Sequence, residues 1–165
     1  MNYKWNILSK ATDIKEVLSS IATWKNIPKD KIREFIDFQM QPHNPYLLTN
    51  MDKAVNRINE AVKNNEKIYI IGDYDADGIS GTSVMYIGLR SLFTNVLWRV
   101  PNRFTDGYGM NTKMVDEAVE KECKLIITVD NGIAAHEVIK YANSKGIEVI
   151  VTDHHEFTAN ELPTE

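Results

Sequence analysis

A chain of 165 residues, 43% hydrophobic, has the length to bury one real core, so a single domain is expected. No apolar run reaches the length of a membrane span, and the start "MNYKWNILSK" lacks the apolar stretch of a signal peptide. A formal net charge of −4 argues against coating nucleic acid through bulk positive charge, while leaving room for a local basic path to a site.

In chain order, "TDIKEVLSSIATW" (Thr12 to Trp24) and "KDKIREFIDFQ" (Lys29 to Gln39) carry apolar residues at helical spacing. Thr12 or Asp13 caps the first, and Pro28 separates the two. "QPHNPY" (Gln41 to Tyr46) is a loop, with His43 a loop residue. "NMDKAVNRINEAVKNN" (Asn50 to Asn65) reads as an amphipathic helix, with Ala54, Ile58, Ala61 and Val62 on one face. Strands follow at Ile68 to Ile71, Val96 to Val100, Leu125 to Val129 and Ile147 to Thr152. Helices at about Ile79 to Phe93, Asn111 to Lys121 and Ala134 to Ser144 separate them. This alternation predicts an α/β fold: a Rossmann-like, mostly parallel sheet with helices on both faces, preceded by an N-terminal helical lead-in (1–66) packed on it. Continuous apolar strands such as "LIITV" suit a sheet covered on both sides. The lone Cys123 excludes an internal disulfide framework and fits a reducing cytoplasm; beside "LIITV" it reads as a buried thiol, not a nucleophile. Trp5, Trp24 and Trp98 are expected in the core, and His136 as an exposed residue of a helix's first turn.

The chemistry gathers where strands end. Asp73, Asp75 and Asp77 follow the first strand in "GDYDADG", Asp130 follows the third, and Asp153, His154 and His155 follow the fourth. In an open parallel sheet the carboxyl ends of the strands share one edge, which is where ligands bind. Carboxylates crowded there cannot all ionise without compensation, and divalent cations supply it. The four negative charges of Asp73, Asp75, Asp77 and Asp130 match two such ions. Oxygen with imidazole suits Mn²⁺, with Mg²⁺ and Zn²⁺ open, and a metal pair is the usual device for hydrolysing phosphate esters. "DYDADG" also opens an EF-hand loop, but the twelfth position from Asp73 is Val84 rather than glutamate, and "KIYIIG" before it reads as strand. A solvated acidic turn would explain the first cluster alone, but not Asp130 and "DHH" at equivalent strand ends. Two glycine-bearing segments flank these groups. Ile79 to Ser83 opens a helix whose free N–H groups can hold a phosphate, and Gly78 and Gly81 permit close backbone approach or tight strand-to-helix packing. In "PNRFTDGYGMN" Arg103 is a phosphate fork or a surface arginine, Gly107 and Gly109 make a loop, and Tyr108 is available for stacking.

The ordered blocks "GDYDADG", "NRFTDGYG", "TVDNGI" and "TDHH", with the lead-in "PYLLTNMDKAVNRI", resemble the DHH phosphoesterase superfamily, and within it the branch of single-strand-specific DNA exonucleases. The resemblance implies that Asp73 and Asp75 hold a first metal, that Asp77 and His154 hold a second, and that Asp130 bridges both. It implies that Asp153 orients a ligand and His155 contacts the scissile phosphate, so that Asp130, His154 and His155 are the catalytic set. Arg103, Gly107, Tyr108 and Gly109 would lie near the substrate. Its implied substrate is single-stranded DNA, its implied partners DNA-repair or replication proteins, and its implied place DNA repair and recombination. Many superfamily members carry His where this chain has Asp73. The superfamily pattern also continues past "DHH" with a further strand and helix, a last metal-binding aspartate and a second domain. Residues 67–165 therefore read as a phosphoesterase domain cut before its last motifs, short of one ligand and one wall of the cleft. Two other readings stay open: a phosphohydrolase of oligoribonucleotides, cyclic dinucleotides or pyrophosphate, and a non-catalytic binding module on the same fold.

Overall fold

The computed structural model describes residues 10–37 and 42–156, and its contacts divide the chain into Met1–Leu48 and Thr49–Glu165. Among the described residues of the first unit, α1 (Ile14–Trp24) comes first, capped by Asp13, whose side chain accepts the Glu16 N–H at 2.9 Å. Glu16 reaches back to accept the Thr12 N–H at 2.7 Å, so two of the donors at this helix end are satisfied reciprocally. A 3₁₀ turn at Lys29–Lys31 leads into α2 (Ile32–Ile36). That helix is shorter than its periodicity predicts because the chain leaves Pro28 in the tighter 3₁₀ winding; Gln39, like Trp5, lies outside the described residues. His43 is an exposed loop residue, as expected, and Asn44 caps a second 3₁₀ turn at Pro45–Leu47.

The second unit runs α3 (Met51–Lys63), β1 (Lys67–Ile71), α4 (Ala76–Leu92), β2 (Val96–Arg99), α5 (Thr112–Glu120), β3 (Cys123–Val129), α6 (His136–Ser144) and β4 (Glu148–Thr152). The four strands lie in the order β2-β1-β3-β4, and every neighbouring pair is parallel. Side chains alternate across the sheet with period two. Ile68, Ile70, Leu125 and Ile127 face one way and pack with Ile58 and Ala61 of α3 and Met85 and Leu89 of α4. Tyr69, Ile71 and Ile126 face the other way onto Met114, Val115 and Ala118 of α5 and Ile139 and Ala142 of α6. This is the doubly covered parallel α/β sheet that the alternation of elements predicts. Cys123 is buried where β3 begins, and burial pushes its thiol up to about 11.

The tryptophans correct the sequence reading. Trp98 shares a register position with Ile70, yet 56% of it is exposed, because β2 is the outermost strand on its side. Trp24, the last residue of α1, is also mostly exposed, with the Lys25 ammonium 4.7 Å from its ring centre. No helix among the described residues is long and apolar enough to cross a membrane.

Candidate metal centre

The site is built on the carboxyl ends of β1, β3 and β4. At the end of β1 the Gly72 N–H donates to the Arg99 carbonyl of β2 at 3.0 Å, extending the ladder one rung. A Cβ on Gly72 would fall 1.9 Å from Thr82 Oγ1, so only glycine lets the strand end this close to α4. The next residue, Asp73, is 1% exposed, and its Oδ1 has no hydrogen-bond donor. Asp75 caps α4 by accepting the Gly78 N–H at 3.1 Å, which holds its carboxyl below the usual range. Because Asp75 is the cap, α4 starts at Ala76, three residues before the predicted Ile79, and Asp77 falls in its exposed first turn. The N–H groups from Ile79 onward are thus committed to the helix, beginning with Ile79 to the Asp75 carbonyl at 3.0 Å, and they are not free to hold a phosphate. Gly78 and Gly81 serve packing: a Cβ on Gly78 would meet Asp73 backbone atoms at 2.6–2.8 Å, and one on Gly81 would meet Val129 Cγ1 at 2.8 Å.

At the end of β3, Asp130 takes a left-handed conformation (φ 62°) while its N–H still donates to the Thr152 carbonyl of β4 at 2.9 Å. The carboxylate is 7% exposed, and neither oxygen receives a well-directed hydrogen bond, although His154 Nε2 lies 2.8 Å from Oδ1. Burial pushes its pKa up, the charges of Asp77 and Asp75 add to that, and His154 draws it part of the way back. The same His154 Nε2 is 3.5 Å from Asp77 Oδ2. One ligand atom each from Asp73, Asp75 and Asp130 lies within 4.8 Å of the other two, and the same holds for Asp130, His154 and His155.

Asp153, at the end of β4, faces its own loop. Its Oδ2 accepts the Ile133 N–H at 3.0 Å; its Oδ1 accepts the His154 and His155 N–H groups at 2.8 and 3.1 Å and lies 2.6 Å from His155 Nδ1. Burial would raise this carboxyl, but the donors, led by Ile133 N–H, hold it below its ordinary value. The hydrogen bond to Asp153 raises the pKa of His155 in turn. Asp153 thus meets the backbone N–H groups of both histidines, but only the imidazole of His155.

The loop after β2 closes the site. Arg99 anchors it, with guanidinium nitrogens 3.0 Å from Asp106 Oδ2 and 2.8 Å from Glu117 Oε2 of α5. The turn that follows uses left-handed Gly107 and Gly109 (φ 79° and 68°) to bring Tyr108 over the cluster. Tyr108 Oη lies 3.3 Å from both ring nitrogens of His155 and donates to the Asp130 carbonyl at 3.4 Å. Burial, followed by the charges of Asp153, Asp73 and Asp130, pushes this phenol up to about 12. Arg103 stands apart from the carboxylates, with its guanidinium carbon 5.6 Å from the Tyr74 ring centre; Tyr74 meets Tyr108 edge to face at 6.4 Å.

Two residues of this site were not singled out in the sequence. Tyr74 sits between aspartates whose charges dominate that stretch. Asn131 is fully buried beneath Asp130; its signal is an amide directly after an apolar strand, where a buried polar group must find partners. His136 opens α6 as expected but is half-buried, its Nε2 shielded from solvent without a described partner, which corrects the expectation of an exposed residue.

The donor set suits a hard or borderline divalent cation. Buried carboxylate oxygens on Asp73 and Asp130 lack donors, a third carboxylate lies within reach, and an imidazole stands beside them. Fold and site together define an open parallel α/β domain with a carboxylate–imidazole centre at the carboxyl ends of its strands. Residues 67–165 match the DHH family, N-terminal domain, and the chain belongs to that family. It is 45% identical over 109 residues to the single-stranded-DNA-specific exonuclease RecJ of Escherichia coli (strain K12), covering 66% of this chain and 19% of that protein. It is 46% identical over 121 residues to RecJ of Bacillus subtilis (strain 168), covering 73% and 15%. Among solved structures it resembles an exonuclease RecJ bound to manganese (37% identity, TM-score 0.65, 71% of this chain and 30% of that one). It also resembles RecJ in complex with Mn²⁺ from Thermus thermophilus (28% identity, TM-score 0.66, 88% and 20%). The chain spans between 15% and 19% of the length of these two curated relatives.

Proposed function

We propose that this chain is the N-terminal part of a RecJ-like nuclease that hydrolyses phosphodiester bonds of single-stranded DNA from an end, using two divalent cations. The observation that carries this reading is the meeting of Asp73, Asp75, Asp130 and His154 at one sheet edge, in a chain similar to exonucleases named for that substrate. Residues 1–66 form its helical lead-in and 67–165 its phosphoesterase part. Asp73 and Asp75 would hold one ion, Asp77 and His154 the other, and Asp130 both. Mn²⁺ is favoured by the ligand set and by the manganese-bound relatives, with Mg²⁺ as the substitute. Such ions supply Lewis acidity, which eases deprotonation of the attacking water and neutralises charge building on the phosphoryl oxygens.

The chain's own groups do the rest. His155 Nδ1 lies 2.6 Å from Asp153 Oδ1, a contact that raises the pKa of the ring and favours the imidazolium, the form in which Nε2 can donate to a phosphoryl oxygen. Tyr108, held over His155, adds an aromatic face for a base. Arg103 is the nearby cation for a flanking phosphate. The test is Mn²⁺-dependent nucleotide release by the full gene product from end-labelled single strands and from blunt duplex. Single strands should be degraded and the duplex largely spared. Asp130→Ala should abolish release, and His155→Ala should slow it by roughly 10²–10³-fold. Normal cleavage by Asp130→Ala would overturn the mechanism.

A further inference from the structure

Past the last paired residues of β1 and β3, Ile71 and Thr128, no rung of the sheet sets how far apart the two strands carry their aspartates. One side chain spans that gap. The fully buried Asn131 amide donates from Nδ2 to the Ile71 carbonyl at 3.1 Å and to the Val129 carbonyl at 2.9 Å. Its Oδ1 accepts the Met110 N–H at 3.1 Å. Ile71 lies two residues before Asp73, Val129 lies directly before Asp130, and Met110 lies two residues after Tyr108. The loop also passes close to the amide: a Cβ on Gly109 would be in ordinary contact with it, 3.4 Å from Asn131 Cβ and 3.5 Å from Oδ1.

We infer that Asn131 is a positioning residue: its amide sets the spacing of the Asp73 and Asp130 carboxylates and seats the Tyr108 loop over them. This rests on the reading that the cluster holds divalent cations. The chemistry of the position is narrow. Two carbonyls need two donors and one N–H needs an acceptor, and a short amide meets all three demands at once. Its orientation follows from the network, since a flipped amide would set its oxygen against both carbonyls. Aspartate has no donor for either carbonyl, glutamine is a methylene too long for a buried site, and alanine removes all three hydrogen bonds at once. The carboxylates need such a device because they repel one another and would spread if the strand ends were free.

A purely structural amide and a positioning one predict different things. Loss of the first lowers stability and leaves metal affinity in the folded protein unchanged; loss of the second weakens metal binding beyond what destabilisation causes. The experiment titrates Mn²⁺ into the chain, reads free ion by electron paramagnetic resonance, and confirms folding by circular dichroism. It compares wild type with Asn131→Ala, Asn131→Ser and the control Ile126→Ala, which opens a core cavity in the same strand without touching the amide. Both Asn131 variants should bind Mn²⁺ at least about tenfold more weakly, the usual scale for losing a group that orients metal ligands, and the control should stay within about twofold of wild type. If Asn131→Ala does not fold, Asn131→Ser is measured with trimethylamine N-oxide present to favour the folded state. Asn131 variants that bind as tightly as the control overturn the inference. A wild-type chain that binds no Mn²⁺ overturns it too, and is told apart because the metal reading of the cluster then fails first.

Discussion

Replacing Asp130 by Asn separates the cost of this buried charge from its use. The left-handed conformation of Asp130 (φ 62°) suits asparagine, so the backbone is not strained by the change. What changes is charge. At the outer separation of 4.8 Å between ligand atoms of Asp73 and Asp130, two carboxylates repel by about 3.5 kcal/mol at an effective dielectric near 20. The nearby His154, whose Nε2 lies 2.8 Å from Asp130 Oδ1, and screening at the site mouth relieve part of this. A net gain of about 1–2 kcal/mol for the metal-free variant is left, which raises Tm by about 3–8 °C for a domain of this size. Mn²⁺ at a hundred times its dissociation constant should stabilise wild type by about 2.7 kcal/mol, whereas the variant has lost the carboxylate assigned to both ions. The order of stabilities therefore inverts: the Asp130→Asn variant melts higher in EDTA, wild type melts higher in Mn²⁺. Differential scanning fluorimetry in the two buffers reads this directly. A variant that melts below wild type in EDTA would refute the buried-charge reasoning, and equal Mn²⁺ stabilisation of both would show that the cluster is not the site.

Gly78→Ala improves helix propensity but drives a methyl into the Asp73 backbone at 2.6–2.8 Å, so urea denaturation should show a loss of about 1–3 kcal/mol; an unchanged midpoint would show that the contact relaxes freely. The Cys123 thiol, buried and pushed up to about 11, should react with Ellman's reagent at about pH 8 at least about 100-fold more slowly in the folded chain than in urea, and equal rates would contradict its burial. Arg99→Leu leaves Asp106 and Glu117 without their shared cation; limited proteolysis should then cut within residues 101–111 faster than in wild type, while a wild-type digestion pattern would mean that the loop is held by other contacts.

The strand and helix order of residues 51–152 was legible in the sequence because its signals are local. Four apolar runs too short for helices alternate with amphipathic segments, and that pattern alone implies a parallel sheet covered on both faces. The carboxylates and imidazoles were legible for the same reason: each group directly follows a strand, and strands of one parallel sheet end on one edge. The start of α4 is masked in the sequence because the charges of "DYDADG" have the pattern of ligands, while Asp75 also serves as a helix cap.

Other features depend on which strands become neighbours, and adjacency along the chain does not carry that. Trp98 looks like a core residue until β2 proves to be the outermost strand, where one flank has no neighbour to cover it. Arg99 gains its meaning from Asp106 and Glu117, 7 and 18 residues further along the chain. Asn131 gains its meaning from Ile71, 60 residues away, whose carbonyl comes within reach only because β1 lies beside β3. Which groups arrive at the sheet edge is thus written along the chain, in local pattern and charge. How far apart they are held, and by what, emerges only when the strands are assembled, because an amide's hydrogen bonds go to whatever backbone the strand order sets beside it.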